Sequence, residues 1–308
     1  MAKLKSRVWL LTLLSQHSST LSHSLSETPP PRPATTGAIQ HQRPLPEAVP
    51  SRKHERVLTF DTDDLPLREL VTDALECNAD DDLGKLHLCD PADFCEPGKI
   101  RASQAGTRTP LRRVELLRRA LSTKWKMSPQ KRVWERDYLP RIVRDVVGPE
   151  VMRGERELIY QRSPMLRFHV AWPLESEEDL AAYDGKIPPV GGKNPGTLAG
   201  LHTDAEYGHP SGEVNFFLPV TSSTYGTNSL YVEGDALRGD FEPFDLKYGE
   251  MTMWNGNSCR HCSPRNISNQ TRVSFDFRVI PGSAWEEPPK KKGSFQLGSY
   301  YMSEKLLL

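Results

Sequence analysis

The chain has 308 residues, of which 37 % are hydrophobic and 26 % charged, an ordinary globular composition that predicts one large domain with a sizeable core. Its 40 basic and 40 acidic side chains give a formal charge of zero, so no overall field favours nucleic acid or a membrane surface as a partner. Five scattered cysteines, an odd number, argue against a disulfide scaffold and favour a reducing, intracellular compartment.

Residues 1–55 differ in composition from the rest of the chain. They begin with basic residues and a short apolar run at 8–14, continue as Ser-rich sequence, and are rich in proline and polar groups at 28–53. The start is typical of an organelle transit peptide, although a disordered tail without a targeting signal fits equally well. The apolar run is too short to span a bilayer. We therefore expect a cytoplasmic or organellar protein whose single folded domain, residues 56–308, follows a flexible linker.

Helical spacing dominates residues 60–150. Apolar residues recur at helical intervals over 65–76, 111–125 and 133–146, and the third helix is expected to be interrupted near Pro140. Between the first two helices, the acidic, turn-rich segment 77–99 is expected to be a loop. The basic residues of the second helix are interpreted as a solvated outer face rather than a nucleic-acid stripe: Arg112, Arg113, Arg118 and Arg119.

Short β-type runs fill residues 155–283. They are separated by Gly, Pro, Asn and Asp, and they read ELIYQR, MLRFHVAW, EVNFFLPV, SLYVEG, EMTMWNG and RVSFDFRVI. Helices followed by many short strands predict a mainly β sandwich or barrel with the N-terminal helices packed against one outer face. The Gly- and Pro-rich segment 183–200 is long for a connection, which makes it a candidate lid.

A group of potential metal ligands lies within these strands. His202 and Asp204 are two positions apart, so in extended backbone their side chains point to the same side. His261, on a turn-rich link between two predicted strands, adds a second imidazole. In a chain with nine histidines, the H-x-D pair alone is weak evidence. Two imidazoles and one carboxylate are, however, the facial triad of non-haem iron(II) oxygenases, so the three residues together predict a metal site.

The last long run alternates polar and apolar side chains. Arg272, Ser274, Asp276 and Arg278 lie on one side, and Val273, Phe275, Phe277 and Val279 lie on the other. In an isolated strand the polar side would face solvent. In a barrel with an interior site the polar side lines the lumen and the apolar side lies beneath the helices. The metal-ligand group makes us predict the second arrangement, in which an arginine fork with a neighbouring hydroxyl matches a carboxylate.

These motifs in combination resemble a known family. His202-x-Asp204, the distal His261 and Arg272-x-Ser274, with GEVNFFLPV, NSLYVEG, YGEMTMWNGNSCRH and TRVSFDFRVIP, are similar to the iron(II)/2-oxoglutarate-dependent oxygenases. The similarity is to their streptomycin-biosynthesis-oxygenase-like branch, and it covers about residues 156–282. It implies a double-stranded β-helix, or jelly roll.

The resemblance also implies chemistry and residue roles. It implies Fe(II) bound by the triad, with 2-oxoglutarate and O2 as co-substrates, and no catalytic residue beyond the metal ligands. The far carboxylate of 2-oxoglutarate would meet Arg272 and Ser274, with Asn215 near the co-substrate. The enzyme would hydroxylate or otherwise oxidise a small-molecule metabolite. Neither nucleic acid nor a membrane is expected as a partner.

Two other functions fit the same sequence. A jelly-roll metal- or sugar-binding module without redox turnover would share the fold and even the ligands. Cys259 and Cys262, spaced as in a metal knuckle, would instead belong to a structural zinc site. Four further polar residues receive weaker expectations: His169 is interpreted as a hydrogen-bonded strand histidine, His209 as solvent-facing, and Arg167 and Arg278 as substrate contacts or structural ion pairs. The sequence does not define the oligomeric state.

Overall fold

The computed structural model describes residues 56–77, 82–95, 110–152, 154–172, 197–286 and 295–306. All of them fall within one compact unit, His41–Leu308. The N-terminal segment 1–55 and residues 183–196 of the candidate lid lie outside the described residues, and residues 197–200 belong to a β-strand. In the described ranges, no helix combines the length and the apolar character needed to cross a membrane.

Three helical stretches account for most of the first half of the fold. The first two, α1 (Leu67–Leu75) and α2 (Pro110–Met127), occur where helical spacing predicted them. Ser128 then starts the third stretch by accepting a hydrogen bond from the Lys131 amide. This stretch consists of α3 (Pro129–Val133), α4 (Leu139–Arg141) and α5 (Gly148–Val151), joined by π-helical turns at Trp134–Tyr138 and Ile142–Val147.

Two local expectations for this half are wrong. The third helix is not interrupted at Pro140, which lies inside α4 between the two π-helical turns. A proline nitrogen has no hydrogen to donate, and the wider i→i+5 bonding beside it accommodates the missing donor. The segment 77–99 is not only loop, because it contains 3-10 helices at Leu83–Leu88 and Pro91–Phe94. Asp82 and Asp90 cap them by accepting hydrogen bonds from the amides of Gly84 and Ala92.

The strands form two main antiparallel sheets and one small ribbon. The strand bounds are β1 Arg56–Thr59, β2 Glu157–Gln161, β3 Met165–His169, β4 Thr197–His202, β5 Val214–Pro219, β6 Ser223–Thr224, β7 Tyr231–Glu233, β8 Phe241–Pro243, β9 Leu246–Lys247, β10 Glu250–Trp254, β11 His261–Arg265, β12 Arg272–Pro281 and β13 Tyr301–Lys305. The larger sheet has the order β1-β10-β5-β12-β2-β13, with β3 also paired to β12; the second has the order β4-β11-β7-β8, and β6 pairs with β9.

Strand β12 separates the hydrophobic core from the polar interior. Its apolar side packs with the helices: the Phe275 ring stacks on Trp134 with centroids 3.9 Å apart and meets Trp125 edge-on at 5.6 Å. Burying such an aromatic side chain stabilises the fold by about 1.5–3 kcal/mol relative to leaving it exposed. The alternate side chains of Arg272, Asp276 and Arg278 line an internal cavity. The predicted orientation of this strand is therefore confirmed.

The mainly β, jelly-roll fold is also confirmed, because residues of both antiparallel sheets line that cavity. The larger sheet extends beyond residues 155–283. At one end β1 pairs with β10, and at the other β13 pairs with β2. Both added strands are short edge strands of mixed polarity, RVLT and YMSEK, which carry little periodic signal in the sequence.

Candidate metal centre

Strand pairing places the two predicted histidines opposite each other. β4 and β11 run antiparallel with His202 in register with His261, and the two ring centroids are 4.2 Å apart. His202 ends β4, and His261 begins β11. The expectation that His261 lies on a turn-rich link is therefore wrong, because the strand starts at that residue. Directly paired residues on one face of a sheet are side-chain neighbours, so the register itself brings both imidazoles together.

The turn after β4 directs Asp204 towards the histidines. Thr203 is extended (φ −107°, ψ 156°) and forms a capping box with Glu206 at the start of the 3-10 helix Asp204–Tyr207. An extended residue between His202 and Asp204 keeps both side chains on the same side of the chain. The Asp204 side chain is buried. The structure thus brings His202, Asp204 and His261 together, with their potential ligand atoms all within 4.8 Å of one another.

Backbone carbonyl groups orient both imidazoles. The Nδ1 atom of His202 lies 2.7 Å from the Gly200 carbonyl oxygen, and that of His261 lies 3.1 Å from the Cys259 carbonyl oxygen. A carbonyl only accepts, so each contact favours the tautomer with hydrogen on Nδ1. Burial lowers the pKa of His261 to about 4, which keeps this ring neutral near pH 7. The Nε2 lone pairs thus point inward, as a metal site requires.

The Nε2 atoms converge on one carboxylate oxygen. Oδ1 of Asp204 lies 4.0 Å from Nε2 of His202 and 3.8 Å from Nε2 of His261. Ligand atoms about 2.1 Å from a shared ion, at right angles to one another, lie about 3 Å apart. The observed separations exceed that value by about 1 Å, which small side-chain rotations can close. Donor type, burial and geometry therefore fit a divalent metal ion.

Asp204 is held in place by partners on two strands of the larger sheet. Arg278 donates from Nε to Oδ2 and from Nη2 to Oδ1, both at 3.0 Å, and Asn215 donates to Oδ2 at 2.7 Å. A carboxylate has about four acceptor positions. Hydrogen bonds from Arg278 and Asn215 occupy three of these acceptor positions on Asp204. The fourth, on Oδ1, is left for the side that faces the histidines. Burial alone would raise the pKa of Asp204, but Arg278, His261 and the Asn215 amide together hold it below its ordinary value.

A small cavity adjoins the two histidines and the partners of Asp204. Its volume is about 40 Å³, and its wall includes His202, His261, Asn215, Trp254 and Arg272. The Trp254 ring packs edge-on against His261, with centroids 4.6 Å apart. A space of this size leaves no room for a second organic molecule beside an ion and one small ligand.

Arg272 is the most unusual residue in the cavity wall. It is only 2 % exposed, yet Nε and Nη1 have no hydrogen-bond partner among the described residues. Its remaining nitrogen, Nη2, donates to the Ser263 hydroxyl at 3.3 Å, and the guanidinium lies 5.2 Å from the centre of the Phe217 ring. Burial lowers the pKa of Arg272 to about 9. A buried cation with unused donors is a site for an anionic ligand.

The hydroxyl beside Arg272 differs from the expected one. Ser263 on β11, not Ser274, contacts the guanidinium and lines the cavity. Ser274 is fully buried, its hydroxyl has no partner in the described part of the chain, and it is not in the cavity wall. Asn215 does line the cavity, but its amide is used between Asp204 and the Gly256 amide.

The residues with weaker expectations are all engaged within the protein. Arg167 pairs with Asp276 at 3.1 Å, and Arg278 pairs with Asp204, so both form ion pairs. His169 lies with Nδ1 3.1 Å from the Asn228 carbonyl and Nε2 2.8 Å from the Pro264 carbonyl, in agreement with a hydrogen-bonded strand histidine.

Sequence reasoning missed a buried group behind Asp204. His209 does not face solvent: its side chain is 9 % exposed and Nδ1 lies 3.0 Å from Glu213. Glu213 also accepts a hydrogen bond from the Tyr301 hydroxyl and lies 3.7 Å from Arg278. Burial raises the pKa of Glu213. The spacing of His209 and Glu213 by four residues was the available signal, but Tyr301 is too distant in sequence to suggest the contact.

The cysteines beside His261 do not form a zinc site in the described ranges. Neither Cys259 nor Cys262 belongs to a group of three or more potential metal ligands there. Burial raises the pKa of Cys262 to about 12, which keeps it a protonated thiol, whereas metals bind the thiolate.

Comparison with known proteins gives one informative relative. No family model matches the chain. The streptomycin biosynthesis protein StrG of Streptomyces griseus is 31 % identical over 190 residues, which are 53 % of this chain and 91 % of the relative. A solved structure described as a non-heme monooxygenase, ThoJ-Ni complex, is 18 % identical with a TM-score of 0.32, over 50 % of this chain and 54 % of its own. This chain thus spans about half the length of that protein.

Proposed function

The chain belongs to the same family as the streptomycin biosynthesis protein StrG, and we propose that it is a non-haem Fe(II)/2-oxoglutarate-dependent oxygenase that acts on a small-molecule metabolite. One observation carries the proposal. Two imidazoles and one carboxylate offer ligand atoms within 4.8 Å of one another, and both imidazoles line a cavity whose wall also holds a buried arginine with unused donors.

The ligand set supports iron as the metal. Two neutral imidazoles and one carboxylate, with coordination positions left over, are the arrangement that non-haem Fe(II) oxygenases use. Together with 2-oxoglutarate and O2, bound Fe(II) would supply the chemistry for oxidising an unactivated C–H bond. His202, Asp204 and His261 would hold the ion, while Arg278 and Asn215 would fix the carboxylate.

Arg272 supports an oxo acid as the co-substrate. The cavity places its guanidinium in the same enclosed space as the metal ligands, and two of its nitrogens lack partners among the residues described. A dicarboxylic acid could bind the metal with one end and this guanidinium with the other. Each charge-assisted hydrogen bond to a carboxylate contributes about 1.5–3 kcal/mol.

The nature of the relative supports a small-molecule substrate. StrG is described as a protein of streptomycin biosynthesis, and the similarity covers most of its length. We extend that context to this chain as a substrate class, a small metabolite, and not as a particular compound.

Binding of 2-oxoglutarate without O2 tests the proposal. Calorimetric titration is expected to show 2-oxoglutarate binding that requires Fe(II) and that disappears in Asp204→Ala. In Arg272→Lys, where an ammonium group replaces the planar guanidinium, the affinity for 2-oxoglutarate should weaken about 10- to 100-fold. Arg132→Lys, an exposed position on α3, is the matched control and should bind normally. Equal affinity in Arg272→Lys and the control would remove Arg272 from this role.

Turnover separates the oxygenase from the alternative metal- or sugar-binding module. With Fe(II), 2-oxoglutarate and air, the oxygenase should form succinate at a rate that Asp204→Ala abolishes. A module without redox activity would bind metal and leave 2-oxoglutarate unchanged. Persistent binding without any succinate, tested across candidate metabolites, would favour the module.

A further inference from the structure

A second cavity, much larger than the metal cavity, lies between α2 and β3. Its volume is about 430 Å³, and its wall is formed by residues 165–168 of β3, by Leu198 of β4 and by polar side chains of α2. This volume is within the range of small-molecule sites, about 300–1,000 Å³. The proposed ion and 2-oxoglutarate would fill the 40 Å³ metal cavity, so the larger cavity is the better candidate for the primary substrate.

The two cavities are adjacent. Arg167 and Leu198 belong to the walls of both. The shared side chains place a molecule in the larger cavity next to the cavity that the two histidines line. Proximity of this kind is what an oxidation at the metal centre needs, because the reacting atoms must be held close together.

The charged side chains of the larger cavity are predominantly basic. Arg118, Arg119 and Arg167 line it with Glu115, and Arg167 is already neutralised by Asp276. The basic residues of α2, interpreted above as one solvated face, differ in burial. Arg112, Arg113 and Arg119 are exposed, whereas Arg118 is half-buried. The expectation of a solvated face is wrong for Arg118.

Glu115, three residues before Arg118 on α2, compensates the charge of Arg118 only in part. Arg118 donates from Nη1 to the Thr197 carbonyl at 3.4 Å, longer than a good N–H···O hydrogen bond. Within the described ranges, no carboxylate oxygen lies within 4.0 Å of its guanidinium. Burial lowers its pKa. Beside it stand the exposed Arg119 and, one turn further along α2, the hydroxyl of Ser122.

We propose that this cavity binds the primary substrate, and that the substrate carries an oxyanion group, a phosphate ester or a carboxylate, held by Arg118 and Arg119. The inference rests on the proposed oxygenase function, to which it adds a substrate class. Guanidinium forks match both kinds of oxyanion through paired hydrogen bonds, and Ser122 supplies a further donor.

The test uses the full chain and two probes, inorganic phosphate and acetate, titrated by calorimetry at constant ionic strength. Each titration is done with divalent metal bound and again after chelation, so that coordination to the metal is distinguished from binding at α2. Binding of either probe is expected to persist after chelation and to weaken about 10- to 100-fold in Arg118→Gln, with a smaller loss in Arg119→Gln. The stronger probe identifies the oxyanion.

Arg112→Gln is the matched control, with the same charge change on the exposed face of the same helix. It should bind both probes like the wild type. No binding of either probe, or equal loss in Arg112→Gln and Arg118→Gln, would overturn the inference. Metal and 2-oxoglutarate binding, measured in parallel, keep the two proposals separate. If metal and 2-oxoglutarate bind but neither probe does, only the oxyanion-site proposal is refuted. If the probes bind but metal and 2-oxoglutarate do not, the oxygenase proposal is refuted.

Discussion

The ion pair between Arg278 and Asp204 gives the sharpest test of how the site is held together. Both side chains are at least nine-tenths buried, and two hydrogen bonds of 3.0 Å join them. Arg278→Met would leave the Asp204 carboxylate buried without its main counter-charge. Removing one partner of a buried pair costs about 3–5 kcal/mol. For a domain of this size that corresponds to a fall of about 6–20 °C in melting temperature.

Thermal unfolding of the metal-free protein measures this loss. Arg238→Met is the matched control, because Arg238 pairs with Asp235 on the surface, where the two side chains are 57 % and 46 % exposed. An exposed pair contributes about 0–1 kcal/mol. Replacing both buried partners, in Arg278→Met with Asp204→Leu, should cost less than Arg278→Met alone, since the Asp204 carboxylate is then no longer buried without its main counter-charge. Divalent metal should raise the melting temperature of Arg278→Met by more than it raises that of the wild type. A loss no larger than that of Arg238→Met would refute the reasoning.

Three further outcomes are expected. Asp204→Ala should abolish tight binding of divalent metal in a dialysis and metal-analysis experiment, and retention of one ion per chain would exclude Asp204 as a ligand. Asn215→Leu removes the 2.7 Å hydrogen bond to Asp204 and should weaken metal binding about 10- to 100-fold, with unchanged affinity as the contrary result. Burial lowers the pKa of His169 to about 3 from 6.5, so the unfolded chain binds the extra proton and stability falls as the pH drops below 6.5. The free energy of unfolding should therefore fall by about 2 kcal/mol more between pH 7 and pH 5 than in His169→Gln, whereas equal slopes would contradict the assignment.

The sequence was sufficient for the parts of the site that depend on local spacing. An extended residue between His202 and Asp204 fixes their common direction, and the alternation along β12 fixes which side chains face the helices. The partners of Asp204 could not be predicted in this way. Arg278 lies 74 residues from Asp204, and only the pairing of β12 with β5 places Arg278 next to Asn215.

The remaining differences also have physical reasons. Which hydroxyl contacts Arg272 depends on how β11 packs across the cavity, so Ser263 could not be distinguished from Ser274 by alternation within one strand. His209 was expected in solvent because it precedes Pro210 in a loop. Contacts with Glu213, four residues further along the same loop, and with the ring of the sequence-distant Phe295 bury it instead.

An anaerobic absorption titration tests the central claim most directly. The purified chain is loaded with one equivalent of Fe(II) without O2, and 2-oxoglutarate is added while the visible spectrum is recorded. We predict a weak charge-transfer band that saturates at one 2-oxoglutarate per chain and that is absent in Asp204→Ala. Saturable Fe(II) binding with no such band at any 2-oxoglutarate concentration would contradict the account.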